Sequence, residues 1–168
     1  MTIMCIYHNN CVDGFGAAWA LREYFVKGQK QEVEFYPGVY QKDPPDVTGK
    51  TVYLVDFSYK REVLEEMAEK AEKIIVIDHH VSAERGLTGI TLPNVEVNFD
   101  MNHSGAMLTW MYFFPDITPP KLLSHIEDRD IWKFAIPGTR EIQTALFSYE
   151  YDFETWDKLM GMHTANLF

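Results

Sequence analysis

The stretch from 74 to 80, Ile-Ile-Val-Ile-Asp-His-His, decides the fold class of this chain. Residues 74–77 are apolar at every position, which is typical of a strand covered on both faces inside a parallel sheet. The strand runs directly into Asp78, His79 and His80, so polar side chains are expected at its carboxyl end. Because such a strand needs helices on both sides of its sheet, the stretch predicts an α/β fold.

Four other short stretches, 3–7, 32–36, 51–55 and 95–99, predict further strands of the same sheet. Apolar residues three or four positions apart predict the intervening helices. Ser58 is expected to cap a helix that starts near Lys60, and Ser104 to cap a later one. We therefore expect a single domain over 1–168, a three-layer α/β/α fold with a five-stranded, mainly parallel sheet. Its motifs lie within 3–132, and a helical tail is expected over 133–168.

The charge of the chain limits its partners. There are 15 Lys and Arg against 25 Asp and Glu, for a formal net charge of −10. A long nucleic acid is therefore not an expected partner, and an anionic substrate would need local positive charge. No secretory signal is recognisable, no apolar run approaches the roughly 18 residues that span a membrane, and Cys5 and Cys11 form no disulfide framework. These features predict a soluble, cytoplasmic protein without a membrane partner.

Histidine and aspartate residues follow three of the predicted strands. His8 and Asp13 follow the first, Asp56 the third, and the Asp78-His79-His80 triplet the fourth. The carboxyl ends of parallel strands meet at one edge of a sheet, where ligands bind. Neighbouring strands lie ~4.8 Å apart, so their side chains can share two cations spaced roughly 3.5–4 Å. Carboxylates with some imidazoles favour Mn²⁺, with Mg²⁺, Co²⁺ and Zn²⁺ as alternatives.

Five short motifs occur in a fixed order within residues 3–132. They are His8-x-x-x-x-Asp13-Gly14, Leu54-Val55-Asp56, Ile77-Asp78-His79-His80, Ser104-Gly105-Ala106 and Asp128-x-Asp130-x-Trp132. Each motif alone is weak, but the ordered set resembles the DHH phosphoesterases. That family includes RecJ-type exonucleases, nanoRNases, cyclic-dinucleotide phosphodiesterases and exopolyphosphatases.

The resemblance implies a role for each motif. The implied metal ligands are His8, Asp13, Asp56, His79 and Asp128. Asp56 is expected to bridge two ions, and Asp130 is the alternative to Asp128. Asp78 and His80 are the catalytic candidates: Asp78 is expected to orient His79, and His80 to contact the scissile phosphate or protonate the leaving oxygen. His80 and Ser104 are the candidate substrate contacts, although an N-cap role explains Ser104 equally well.

The chain departs from the family pattern in two ways. The usual Asp-x-Asp pair after His8 is Cys11-Val12-Asp13 here, so Cys11 is either a thiolate ligand, favouring softer metals such as Zn²⁺, or a sign of a weak first site. The substrate-gripping C-terminal domain of many members, with its glycine-rich His loop, is not recognisable between Trp132 and Phe168. The chain is then either a minimal form or a fragment.

These observations predict a Mn²⁺-dependent phosphoesterase that hydrolyses phosphodiester bonds in short oligonucleotides or (cyclic) dinucleotides. The alternatives are a pyrophosphatase or exopolyphosphatase, and a catalytically inactive module that binds nucleotides or another protein. His103, His125 and His163 are expected to be ordinary surface or half-buried residues. Trp132 is expected in the core, unless it is exposed and stacks on a base.

Overall fold

The sheet of this protein is fully parallel. In a computed structural model, which describes residues 1–162, its five strands lie in the order β2-β1-β3-β4-β5. The strands are β1 (Thr2–His8), β2 (Val33–Gly38), β3 (Lys50–Val55), β4 (Lys73–Asp78) and β5 (Val95–Phe99). Every neighbouring pair is parallel. The prediction of a five-stranded, mainly parallel sheet is therefore confirmed.

Seven α-helices surround this sheet within the described part of the chain. They are α1 (Val12–Arg22), α2 (Arg61–Lys70), α3 (Val81–Leu87), α4 (Gly105–Phe113), α5 (Lys121–Asp130), α6 (Thr139–Leu146) and α7 (Phe153–Gly161). Helix α1 continues into a π-helical segment at Glu23–Gly28. The helical C-terminal end is thus confirmed as far as residue 162, and residues 163–168 of the expected tail lie outside the described range. No helix within 1–162 is long and apolar enough to cross a membrane.

The apolar run in β4 packs on both sides of the sheet. Ile75 and Ile77 belong to a buried cluster that also contains side chains of α1, α4, α5, α6 and α7. Ile74 and Val76 belong to a second cluster, which contains side chains of α2 and Leu87 of α3. Side chains alternate across a strand, so a strand buried on both faces must be apolar throughout. Burial on both faces explains why residues 74–77 are apolar at every position.

The strand order reverses beside β1. From β1 the chain moves outward to β2, and it returns to the opposite side of β1 with β3. In open α/β sheets such a reversal leaves a crevice at the carboxyl ends of the strands on either side. The crevice lies here between the ends of β1 and β3, next to the end of β4.

The two predicted helix caps have different outcomes. Ser104 caps α4, because its Oγ accepts a hydrogen bond from the backbone N–H of Met107 at 3.1 Å. Ser58 does not cap α2. The N-cap is Lys60, without a side-chain cap, and the Ser58 hydroxyl donates instead to the carbonyl of Tyr59 at 3.3 Å.

Candidate metal centre

Side chains from four separate stretches of the chain, 8–13, 56, 78–80 and 130, meet at the crevice. Two groups of donor atoms form there, the first from His8, Cys11 and Asp56, the second from Asp13, His79 and Asp130. Within each group, one nitrogen, sulfur or oxygen atom per residue lies within 4.8 Å of the others. A third group contains Asp56, Asp78, His79 and His80. It shares Asp56 with the first group and His79 with the second. The predicted convergence of His8, Asp13, Asp56 and His79 is therefore present in the geometry.

The second group is centred on the His79 imidazole. Its Nε2 lies 3.0 Å from Asp56 Oδ1, 3.3 Å from Asp13 Oδ2 and 3.4 Å from Asp130 Oδ2. Neighbouring ligands of an octahedral ion with bonds of 2.0–2.1 Å lie about 3 Å apart. The spacing of Asp13, His79 and Asp130, whose donor atoms all lie within 4.8 Å of one another, is thus suited to one divalent cation, and Asp56 Oδ1 lies beside them.

The first group contains an imidazole nitrogen without a hydrogen-bond partner among the described residues. His8 Nδ1 is buried and lies 3.7 Å from Asp56 Oδ2. The Cys11 thiol donates a long hydrogen bond to the same oxygen, with Sγ at 3.7 Å. Buried polar atoms are normally satisfied, and a cation beside the carboxylate would satisfy this nitrogen. Since Oδ1 of Asp56 faces His79 and Oδ2 faces His8, this carboxylate lies between the two groups.

Glycine is required where helices approach the donor residues. A Cβ atom on Gly105 would lie 2.4 Å from Cβ of Asp56, and one on Gly14 would lie 2.3 Å from the carbonyl oxygen of His8. Asp56 itself has a left-handed backbone with φ of 52°. Such a conformation is uncommon outside glycine, asparagine and aspartate, and it clusters at functional sites. The backbone is therefore arranged around the Asp56 side chain.

The N-terminus of α4 holds Asp13. The backbone N–H of Gly105 donates to Asp13 Oδ2 and that of Ala106 to Oδ1, both at 2.8 Å. Unpaired N–H groups and the helix dipole favour a carboxylate at this position. Ser104 is fully buried and caps the helix. The geometry therefore favours the N-cap role of Ser104 over the expected substrate contact. Its neighbours Gly105 and Ala106 position Asp13.

Asp78 acts on a different histidine from the one expected. It is fully buried, and its Oδ1 accepts from the backbone N–H of His79 at 2.8 Å and lies 2.7 Å from His80 Nδ1. Its Oδ2 is buried without a partner among the described residues. Asp78 thus orients the ring of His80 rather than that of His79. The His80 side chain is half-exposed, and its ring centroid lies 6.2 Å from that of His8.

Asp128 lies outside the donor groups. Its carboxylate accepts hydrogen bonds from the backbone N–H groups of Ala135 and Ile136, at 2.8 and 3.0 Å, and from the Thr139 hydroxyl at 2.6 Å. These bonds fasten the loop between α5 and α6. The expected ligand role of Asp128 is corrected by this placement, and Asp130, the alternative, is the residue that reaches the cluster.

The second group concentrates negative charge away from water. Burial and the charge of Asp56 raise the pKa of Asp13, and burial together with Asp13 raises the pKa of Asp130 to about 7. Burial lowers the pKa of His79, but its hydrogen bonds to Asp13 and Asp56 outweigh this effect and raise the pKa to about 11. Burial and then Asp56 raise the pKa of the Cys11 thiol to about 12.

The histidines assigned no role are placed as follows. His103 Nδ1 lies 2.9 Å from Glu127 Oε1, and His125 is buried, with Nδ1 2.8 Å from Thr139 Oγ1. His163 lies outside the described residues. Trp132 is 73% exposed, so it is not a core residue, and its ring packs at 4.8 Å against Phe134.

Tyr40 is a site neighbour that sequence reasoning missed. It lies after β2, its ring stacks on Phe57 at 4.7 Å, and its ring edge meets His8 at 5.2 Å. The residue follows no strand-end aspartate or histidine, so no motif pointed to it. It forms a half-exposed wall beside the first donor group.

Comparison with known proteins adds a sequence relative. No family model matches the chain. Over 167 residues it is 38% identical to an uncharacterized protein of Acanthamoeba polyphaga mimivirus, a match that covers 92% of this chain and 39% of that protein. The chain thus spans about two fifths of the length of this relative, whose description names no activity.

Proposed function

We propose that this chain is a phosphoesterase that uses two divalent cations, with Mn²⁺ as first choice, to hydrolyse short oligonucleotides or (cyclic) dinucleotides. The observation that carries the proposal is the position of Asp56 between two donor groups, with one oxygen toward each. Two cations about 3.5–4 Å apart are the arrangement of many phosphoesterases. The resemblance of the ordered motifs to DHH phosphoesterases supports the same function.

The donor set fits such ions. Five residues would hold them, namely His8, Asp13, Asp56, His79 and Asp130, with the Cys11 thiol as a sixth neighbour. Carboxylates mixed with imidazoles suit Mn²⁺ better than the all-oxygen set typical of Mg²⁺. When bound, two such cations activate water as a nucleophile and neutralise charge on the phosphoryl group.

The remaining residues orient the reacting groups. Asp78 fixes the His80 ring through Nδ1, which leaves Nε2 of His80 available at the half-exposed side of the crevice. From there the ring can donate to a phosphate oxygen or protonate the leaving oxygen. The N-terminus of α4 holds Asp13 in place, so the second group needs little rearrangement to bind an ion.

A hydrolysis panel tests the proposal. The purified chain is incubated with Mn²⁺ and a 5′-phosphorylated dinucleotide, a cyclic dinucleotide, pyrophosphate or a chromogenic phosphodiester. We expect Asp56→Asn, a near-isosteric change, to lower turnover by about 100-fold or more. Asp116→Asn is the matched control, because Asp116 is exposed and makes no side-chain hydrogen bond or ion pair among the described residues. Activity that survives in Asp56→Asn would refute the proposal.

One observation favours a second candidate, the inactive binding module. A thiol rather than a carboxylate stands beside Asp56 Oδ2 in the first group. Nucleotide binding without product formation in Mn²⁺, Mg²⁺, Co²⁺ or Zn²⁺ would support this candidate. Turnover of pyrophosphate alone would support the pyrophosphatase alternative.

A cytoplasmic location and short substrates are part of the same proposal. The two cysteines are free thiols, which suits a reducing compartment. The net charge of −10 disfavours a long polyanionic strand.

A further inference from the structure

A small cavity of about 260 Å³ opens beside the donor residues. One of its walls is formed by His8, Cys11, Asp13 and Asp130. The rest of its wall comes from the end of α5, from α6 and from the residues that follow it, and includes Arg129, Gln143, Phe147 and Tyr151. The cavity is therefore continuous with the candidate metal centre and has a wall of different chemistry.

Gln143 contributes an unpaired buried donor to this wall. The residue is only 4% exposed, and its Nε2 has no hydrogen-bond partner among the described residues. A buried amide N–H without a partner is costly for folding and is rare in native proteins. An acceptor in the cavity would satisfy it.

Arg129 contributes an unpaired charge. Its guanidinium has no carboxylate within 4.0 Å in the part of the chain that the structure describes, and its Cζ lies over the Phe147 ring, 5.8 Å from the centroid. The hydroxyl of Tyr151 likewise makes no hydrogen bond there. By contrast, both oxygens of Asp13 are held by α4, and Asp130 Oδ2 faces His79. The donors on this wall are thus available to a ligand.

We propose that this cavity binds a second phosphate group of the substrate, next to the one that is hydrolysed. A guanidinium binds phosphate oxygens through two parallel N–H groups, and an amide and a phenol can add further donors. The inference rests on the proposed phosphoesterase function and narrows it. The substrate then carries at least two phosphates, as in a 5′-phosphorylated dinucleotide or pyrophosphate, rather than the single phosphate of a plain dinucleotide.

Kinetics with a substrate pair test this directly. The values of kcat/KM are measured in Mn²⁺ for one dinucleotide with and without a 5′-phosphate, and for pyrophosphate. We expect the phosphorylated form to be preferred about tenfold or more, and Arg129→Gln to remove the preference while kcat/KM for the plain form stays within about twofold. Arg85→Gln, which removes the same charge from an exposed position on α3, is expected to change neither value.

Two outcomes would overturn the inference. The first is a wild-type protein without preference, or an Arg129→Gln variant that loses activity equally on both dinucleotides. The second is an Arg129→Gln variant that is unchanged while Phe147→Leu weakens both dinucleotides and spares pyrophosphate. The 60% exposed Phe147 ring would then stack on a base, and the cavity would not be a phosphate site. The measurement with pyrophosphate shows whether the second phosphate belongs to an inorganic substrate or to a nucleotide.

A binding measurement separates this inference from the proposed function. Inorganic phosphate is titrated into the protein with excess Mg²⁺, and the side-chain amide signal of Gln143 is followed by NMR. We expect a saturable shift that Arg129→Gln abolishes. If the shift is present but no substrate is hydrolysed, the proposed function fails and the phosphate site stands. If hydrolysis occurs without shift or preference, the phosphate site fails.

Gln143→Met distinguishes a binding role from a structural one. The change keeps the side-chain size and removes the unpaired donor, so we expect Tm to stay equal or rise while phosphate affinity falls severalfold. A lower Tm with unchanged affinity would show that Gln143 only supports the fold, and would contradict its assignment.

Discussion

Asp128 and Asp130 have opposite roles although only one residue separates them. Successive residues of an α-helix are about 100° apart, so residues two apart point to nearly opposite sides. Asp128 faces the loop that leads to α6, and Asp130, at the end of α5, faces His79. The sequence predicts that one of the two reaches the crevice, but the direction depends on how α5 is rotated by its packing. This is why the motif alone does not decide between Asp128 and Asp130.

The two aspartates should separate stability from metal binding. We expect Asp128→Asn to lower the free energy of unfolding by about 2–4 kcal/mol, because three hydrogen bonds to the buried carboxylate are weakened. Urea denaturation measures this change. Asp130→Asn is expected to lower Mn²⁺ affinity about 10–100-fold with little loss of stability. The reverse pattern would mean that Asp128 is the ligand after all.

Cys11 is the softest donor in the first donor group. Thiolates select softer metals, whereas carboxylates suit Mn²⁺. We therefore expect Cys11→Asp to raise Mn²⁺ affinity about tenfold and to reduce any preference for Zn²⁺, as measured by metal titration with calorimetry. Cys11→Ser is the control, because it replaces the thiol with a small polar group but does not introduce the negative charge of an aspartate. Weaker Mn²⁺ binding in Cys11→Asp would show that the thiol is itself a needed ligand.

At the scale of elements, the strands are easier to predict than the helices. Strands β1, β3 and β4 carry apolar runs and β2 and β5 an alternation of apolar and polar residues, so all five can be recognised, and their carboxyl ends indicate the crevice. Helix α3 has a weak signal in the sequence because it has seven residues and buries only Leu87, while Val81 is exposed. The sequence allows Ser104 to be either a substrate contact or an N-cap, and only the position of α4 against Asp13 decides between these roles.

The close approach of α4 to Asp56 predicts a strong effect of one methyl group. Gly105→Ala would place Cβ 2.4 Å from Cβ of Asp56, so the helix or the carboxylate must move. We expect a lower Tm and Mn²⁺ affinity reduced about tenfold or more, since both donor groups use Asp56. Gly86→Ala in α3 is the control: its Cβ meets nothing within 4 Å, and Tm should rise slightly. Equal changes of Tm and Mn²⁺ affinity in the two variants would argue against a lack of space for a side chain at position 105.

Helix α7 is fastened to α1 by one carboxylate with a predictable pH dependence. Burial raises the pKa of Asp157, but its hydrogen bonds to Lys27, Trp19 and Arg22 outweigh this and lower the pKa below the ordinary range of an aspartate. The stabilisation is therefore complete above the unfolded pKa and is lost as pH falls through the folded one. Thermal unfolding between about pH 5 and 2 should show a smaller loss of Tm in Asp157→Asn than in the wild type.

At the scale of the whole molecule, cations should stabilise the fold. Carboxylates of Asp13, Asp56 and Asp130 crowd around one imidazole in a chain of net charge −10. A ligand that binds only the folded state raises its stability with concentration. We expect Tm to rise with added Mn²⁺ by several degrees, and calorimetry on Asp56→Asn to show little of this rise. A rise of equal size in Asp56→Asn would place the cation elsewhere on the surface.

Asp13 is far in sequence from the two residues that bind its carboxylate, and this separation affects the order of events during folding. The bonds that hold this carboxylate join residues 92 and 93 positions apart. Contacts between residues so far apart in sequence have a large loop-closure cost, so we expect them to form after the parallel strands have paired. A partly folded chain thus lacks the cradle that would capture an ion. Metal uptake should accordingly lag behind secondary structure in stopped-flow refolding, and so report that the molecule has finished assembling.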